Sequence, residues 1–290
     1  MPIVLSCFDY VSNMKSSKII SFAVLAMWIN LVPRAKAAEV ATDVCVYGAT
    51  PGGIAAAVSA AKGGWSVTLV EPTNRIGGLI TCGLSYSDFR SFESLSGFFL
   101  DFAQRVESHY RETYGVASPQ ALACWRGTHG EPSVNLLVLE KMLGEHPRLR
   151  VLKRSSLAAV KAGAFHLGRR RIESVTLNTA ERGDSPTTVV VRAKVFIDGT
   201  YEGDLMARAG ESYHVGRESR EQYGEPLAGD AEGRADGQVQ GYNFRLIMTQ
   251  VENNRLTPTA PVGYRREDFA QVLRLITSRQ VKSIFSEGHD

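Results

Sequence analysis

The chain has 290 residues, 44% hydrophobic and 22% charged, with no low-complexity tract, so it carries enough apolar side chain for a sizeable core and is not of the disordered or fibrous classes. A formal charge of +3 scattered over that length argues against nucleic acid as a partner, and the densest basic run, Arg169-Arg170-Arg171, reads as a turn between strands.

The first forty residues read separately. Lys15 and Lys18 precede a mostly apolar run over 19–32, and Ala35-Lys36-Ala37 supplies the small-x-small pattern of a cleavage site. The run is shorter than the roughly 20 residues needed to cross a bilayer. Residues 1–37 are therefore expected to be an export signal, with cleavage after Ala37, Met14 as the natural start and no stable membrane span afterwards. No Arg-Arg pair precedes the run, so the general export route to a periplasmic or secreted location is expected. Of the four cysteines, Cys45, Cys82 and Cys124 would remain, without C-x-x-C spacing. Neither a disulfide framework nor a metal site is indicated, and Cys45 is expected in the core.

Periodicity predicts a strand at 44–47, an alanine-rich helix at 52–62 and a second strand at 66–70, which make a β-α-β unit. An amphipathic segment follows over 95–114, then a helix over 133–145 with Ser133 or Asn135 as cap. Strand candidates at 149–153, 158–161, 172–177 and 188–191 read as a β-meander inserted in an α/β chain. A further strand at 194–198 leads through Gly199-Thr200-Tyr201-Glu202-Gly203 into a short helix ending near Ala209-Gly210. Residues 211–241 are polar and rich in Gly, Asp and Glu, as in an exposed excursion. Strand character resumes at 242–249, and a last helix is expected at 266–278. The fold class expected is α/β, a Rossmann-like dinucleotide-binding domain at 42–210 with the inserted meander, followed at 211–290 by the start of a substrate or linker region.

The glycine cluster carries the chemistry. Glycines let the backbone reverse tightly and approach a pyrophosphate, whose charge then meets the unpaired N–H groups of a helix N-terminus. The G-x-G-x-x-G positions are filled here by Gly48, Thr50 and Gly53, so the middle glycine is replaced by a residue whose hydroxyl could turn toward a phosphate oxygen while its Cβ keeps the backbone slightly farther off. Pro51 suits the first helical turn, Gly52 follows it, and Gly53 would let the helix pack closely on the strand. Glu71 stands at the end of the second strand, about 20 residues on, where a carboxylate accepts from ribose hydroxyls and repels a 2′-phosphate.

Glu71 followed by Arg75, Gly77 and Gly78 resembles the extended nucleotide motif of the two-dinucleotide-binding-domain, glutathione-reductase-like flavoproteins. The chain also resembles the FAD-dependent oxidoreductase family in four ordered segments: Tyr47 to Ile54; Gly77-Gly78 with Gly83-Leu84-Ser85; Phe196 to Leu205; and Tyr213-His214-Val215-Gly216-Arg217-Glu218-Ser219. The resemblance implies FAD. It puts the ADP half on Gly48 to Gly53 and Glu71, the isoalloxazine near the loop after Gly78, and the backbone of Val160 beside the adenine. Asp198, Gly199 and Thr200 correspond to the second strand-turn that passes the cofactor, with Asp-Gly-Thr in place of the usual Ala-Thr-Gly. The class also carries a late Gly-Asp motif. The pairs ending at Asp184, Asp204 and Asp230 all precede its place, so the resemblance implies an N-terminal portion, a truncated reading frame.

No catalytic residue is fixed by pattern, because a flavin brings its own redox chemistry and the protein supplies position, electrostatics and a proton donor. His214, Arg217 and Glu218 occupy a polar segment that could face a small organic substrate, the other reading of each being a solvated loop side chain. Arg245 could clamp a carboxylate. His109, His129, His146 and His166 lack metal spacing, Arg182-Gly183-Asp184 suits a hairpin turn, and no Gly-x-Ser-x-Gly is present. The expected activity is flavin-mediated hydride or electron transfer. The alternatives are a non-catalytic dinucleotide-binding fragment and, third, a xanthan-lyase-like carbohydrate-active protein. Oligomeric state is not encoded in any pattern here.

Overall fold

The structure, a computed structural model, describes residues 37–164, 170–180, 187–241, 249, 251–256 and 258–281. The strand expected at 242–249 lies, except for Thr249, outside the described residues, as do Arg169 and the Arg182-Gly183-Asp184 turn; Arg245 falls there too. Two compact units are present, one ending at Arg245 and the other Leu246–Asp290.

In the first unit the chain runs β1 (Ala38–Tyr47), α1 (Pro51–Lys62), β2 (Val67–Val70), α2 (Gly97–Tyr114), α3 (Pro119–Ala123), α4 (Pro132–Gly144), β3 (Leu149–Leu152), β4 (Ser155–Ala162), β5 (Ile172–Thr179), β6 (Thr187–Asp198), α5 (Asp204–Ala209) and α6 (Arg220–Tyr223). The sheet order is β3-β2-β1-β6-β5-β4. The first four strands are mutually parallel, and β5 and β4 extend the sheet antiparallel. Tyr47 pairs with both Val70 and Asp198, so β1, β2 and β6 end level and their carboxyl ends form one edge. In an open α/β sheet that edge is where a ligand binds. This is the expected Rossmann-like α/β architecture.

Alternating residues of β1 serve two cores. Val44 and Val46 join Ile54, Val58, Leu69, Val106 and Leu139 under α1, α2 and α4. Cys45 and Tyr47 face the other way, with Leu157, Val175, Leu177 and Val191 of the meander. Both faces of the strand are covered, which is why it reads as a continuous apolar run rather than an alternating one.

Three expectations change. The strands expected at 188–191 and 194–198 are one strand, β6, whose first half, Thr187–Arg192, pairs with β5 while Val189 to Asp198 pairs with β1. Neither Ser133 nor Asn135 caps α4. Glu131 is the residue before that helix, and Asn135 is buried, donating to the carbonyls of Ile80 and Gly130 at 2.9 and 3.0 Å. The polar stretch 211–241 is mostly exposed, as expected, and is closed on itself by reciprocal backbone bonds between Arg217 and Asp236. In the second unit the expected last helix begins as a 3-10 turn at Arg266–Phe269 and becomes α7 only at Ala270–Thr277.

Candidate dinucleotide site

Where β1 ends, three glycines touch. Gly48 has φ of +100°, and a Cβ there would lie 2.7 Å from Gly199 C and Thr200 N. A Cβ on Gly53 would lie 1.9 Å from the Gly48 carbonyl oxygen, and one on Gly199 would lie 2.6 Å from that oxygen and 2.8 Å from Gly53 Cα. Strand end, helix start and the turn after β6 therefore meet backbone to backbone, an approach only glycine permits. Gly53 does what the sequence asked of it. Gly199, in the turn after β6, is the third wall of the same contact.

The Thr50 hydroxyl corrects the reading that aimed it at phosphate. It donates to Gly199 O at 2.6 Å and accepts from Gly53 N at 3.2 Å, so it caps α1 and ties the glycine loop to the β6 turn. Its partner lies 149 residues away, and the short bond to a half-buried carbonyl outcompetes a turn toward solvent. Pro51 at the first helical position has no N–H to satisfy. The amides of Thr50 and Gly52 make no hydrogen bond among the described residues, which leaves donors for an anion at a helix N-terminus.

Glu71 stands at the tip of β2 and is 8% exposed. Its Oε2 accepts from Ala49 N at 3.0 Å, and its Oε1 accepts from Thr73 N and Oγ1 at 2.9 and 2.8 Å. The carboxylate is thus held beside the glycine loop with about three of its roughly four acceptor positions filled. One remains for a ribose hydroxyl. A second opens if the Thr73 hydroxyl swings to the Arg75 carbonyl, which it already reaches at 3.0 Å.

Gly77 and Gly78 follow, with φ of +93° and +51°, and Gly77 N donates to Ala49 O at 2.7 Å. The 3-10 turn they open, Gly78–Thr81, is braced by side chains from all sides. Arg75 Nε donates to Thr81 O at 2.7 Å, Thr81 Oγ1 donates to Ile76 O at 2.6 Å, and Asn135 Nδ2 donates to Ile80 O. The loop beyond carries Tyr86, Phe89 and Phe92, which pack with Trp125 and His129, and burial among those rings lowers the pKa of His129.

Not every expected site residue arrives. Val160 belongs to β4, but the residue of that strand beside Glu71 is Ser155, whose N donates to Glu71 O at 3.0 Å while Arg154 N donates to Thr73 O at 2.7 Å. Val160 lies five positions further along, roughly 17 Å at the strand rise, and packs into the meander core. Asp198 and Thr200 reach the right turn, yet their side chains serve the turn itself. Asp198 Oδ1 accepts from Thr200 N and Oγ1, its Oδ2 accepts from Met206 N, and Thr200 Oγ1 accepts from Gly203 N and Asp204 N. Arg217 is engaged bidentately by Asp236, with Nε to Oδ1 at 2.9 Å and Nη2 to Oδ2, so its guanidinium closes a loop rather than awaiting substrate. His214 is exposed, and Arg245 lies outside the described residues. Sequence reading missed Ser155, Thr81, Asn135 and Tyr201. Ser155, Asn135 and Tyr201 act through contacts that join distant segments, whereas Thr81 bonds only within its own segment.

Glycine cradle, helix N-terminus and buried acid at the carboxyl edge of a parallel sheet define a Rossmann-like nucleotide-binding domain, and these residues fit the adenosine diphosphate half of a dinucleotide. A model of the FAD-dependent oxidoreductase family matches residues 43–289; the chain belongs to that family, and FAD is its cofactor. No curated protein matches the chain. Among solved structures it is similar to THI4 of Thermovibrio ammonificans (18% identity, TM-score 0.34), covering 69% of this chain and 73% of that one. It is also similar to L-proline dehydrogenase of P. horikoshii (17%, TM-score 0.30), covering 58% of this chain and 24% of that one. A third is quinol fumarate reductase FrdA of E. coli (14%, TM-score 0.35), with 56% and 33% covered. The chain therefore spans a third or less of the length of the latter two.

Proposed function

We propose that the chain serves flavin-mediated hydride or electron transfer on a small organic substrate, within the glutathione-reductase-like class of flavoproteins. The observation that supports this best is the buried Glu71 carboxylate 3.0 Å from Ala49 N, at the point where Gly48, Gly53 and Gly199 meet. Glu71 takes the adenosine ribose, the amides of Thr50 and Gly52 take the pyrophosphate, and the braced Gly78–Thr81 turn carries the flavin side. FAD, when bound there, supplies two-electron redox chemistry that none of these side chains possesses. The chain's residues bind, orient and shield it. The export signal read over 1–37 makes a periplasmic or secreted location part of the same proposal.

The test is spectroscopic. Purified protein reconstituted with FAD is mixed anaerobically with a panel of small alcohols, amines and hydroxy acids. Bleaching of the flavin band by one class supports the proposal. Tight FAD binding with no bleaching across the panel and no reoxidation of chemically reduced flavin by quinone or dye acceptors contradicts it, and leaves a binding module.

A further inference from the structure

Tyr201 sits in the turn after β6 and is 59% exposed, yet its hydroxyl is engaged across the site. The Leu79 amide donates to it at 2.8 Å over a separation of 122 residues. Its ring lies on the bare Cα of Gly78, where a Cβ would fall 2.3 Å from the hydroxyl oxygen and 3.0 Å from ring carbons. Gly78 is thus required twice, by its left-handed φ and by the phenol above it.

Both turns joined by this contact are rigid on their own account. The Tyr201 turn is pinned by Asp198 and Thr200, through four bonds to backbone amides and one between their side chains. The Gly78–Thr81 turn is held by Arg75, Thr81 and Asn135. Neither needs Tyr201 to keep its shape. What Tyr201 fixes is their spacing, and these are two of the three turns that surround the nucleotide position; the third, the Gly48 loop, is tied to the others by Thr50 and Gly77. As an acceptor from Leu79, the hydroxyl still carries a proton, and that proton has no acceptor among the described residues.

We propose that Tyr201 is a positioning residue for FAD, a phenolic clasp that sets the distance between the two cofactor turns and offers its free proton to the bound cofactor. The inference rests on FAD being the cofactor and not on turnover, so binding alone tests it. Apoprotein is titrated with FAD while flavin fluorescence is followed, and the apoprotein's thermal midpoint is recorded alongside. Tyr201→Phe keeps the ring and removes the hydroxyl. It is expected to weaken FAD binding roughly threefold to tenfold, the worth of one hydrogen bond, with the apoprotein midpoint unmoved. Gly78→Ala is expected to weaken binding more, and part of that loss is expected to vanish in the Tyr201→Ala background, because the clash partner is gone.

An affinity for FAD unchanged within twofold in Tyr201→Phe overturns the clasp. So does strict additivity of Gly78→Ala and Tyr201→Ala, or a fall in the apoprotein midpoint large enough to account for the lost affinity. Failure of the wild-type chain to bind FAD removes the clasp together with the cofactor site, a result distinct from wild-type binding that the Phe variant retains.

Discussion

Gly53→Ala sets two effects of opposite sign against each other. An alanine in a helix interior is favoured over glycine by about 1 kcal/mol, and at the third residue of α1 a smaller share of that preference still predicts a more stable protein. The Cβ, however, would arrive 1.9 Å from Gly48 O and 3.1 Å from Gly48 C, where ordinary contact begins at 3.4 Å. The neighbour is backbone, and it is itself wedged against Gly199, so a displacement of about 1.5 Å has no soft side chain to absorb it. Overpacking of this kind costs roughly 1–3 kcal/mol, and net destabilisation is expected. At roughly 2–4 °C per kcal/mol for a domain of this size, the midpoint falls by several degrees. FAD affinity falls with it, because the Gly48 loop is pushed off the strand end. Gly144→Ala is the control: it lies in the last turn of α4 with nothing within 4 Å of the new Cβ, and it is expected to be neutral or mildly stabilising. Differential scanning fluorimetry with and without FAD reads both. A Gly53→Ala protein that is more stable than wild type and binds FAD normally would refute the packed glycine trio.

Thr50→Ala removes the α1 cap and the link to Gly199, and is expected to cost about 1 kcal/mol by urea denaturation; a Ser at that position restores most of it. In acid, the Asp43 and Asp236 carboxyls matter. Lys194 and, next, Ser66 hold the Asp43 carboxyl well below the usual carboxylate range, and Arg217 holds Asp236 at about 2. A lowered folded-state pKa gives stability that is present above the unfolded value near 4 and lost as pH falls through the folded one. The denaturation midpoint is therefore expected to drop between pH 4 and 2, and Asp43→Asn to flatten that drop; an unchanged slope in the variant would speak against the Asp43 contribution. Burial pushes the Cys45 thiol up to about 12 and raises that of Cys124, while Cys82 is exposed. Brief iodoacetamide treatment at pH 8 followed by peptide mapping is expected to label Cys82 and spare the other two, and rapid labelling of Cys45 would contradict the two-faced core.

The parts of the fold readable in advance were those encoded locally. Strand, glycine turn, Pro-started helix, strand and acid lie within residues 44–71, and each is specified by its own φ, cap or burial requirement. Elsewhere, what decided the outcome lay far away in sequence. The direction of the Thr50 hydroxyl depends on Gly199, and the continuity of β6 from the meander to the site depends on its pairing with β1. Which end of β4 approaches Glu71 depends on the meander's path over the sheet, so the strand was legible but not that Ser155 rather than Val160 stands beside that acid. Asn135 looked like a cap because it is polar near a helix start, but its amide answers two carbonyls from other segments. Arg217 resembled a free cation until Asp236 closed the loop.

The most direct measurement is competition at the nucleotide site. Apoprotein loaded with FAD is titrated with ADP and, separately, with FMN, in wild type and in Glu71→Ala. The account predicts that ADP displaces FAD from wild type and FMN does not, and that Glu71→Ala weakens ADP and FAD alike by tenfold or more. Displacement by FMN with indifference to ADP, or FAD affinity untouched by the loss of Glu71, would contradict it.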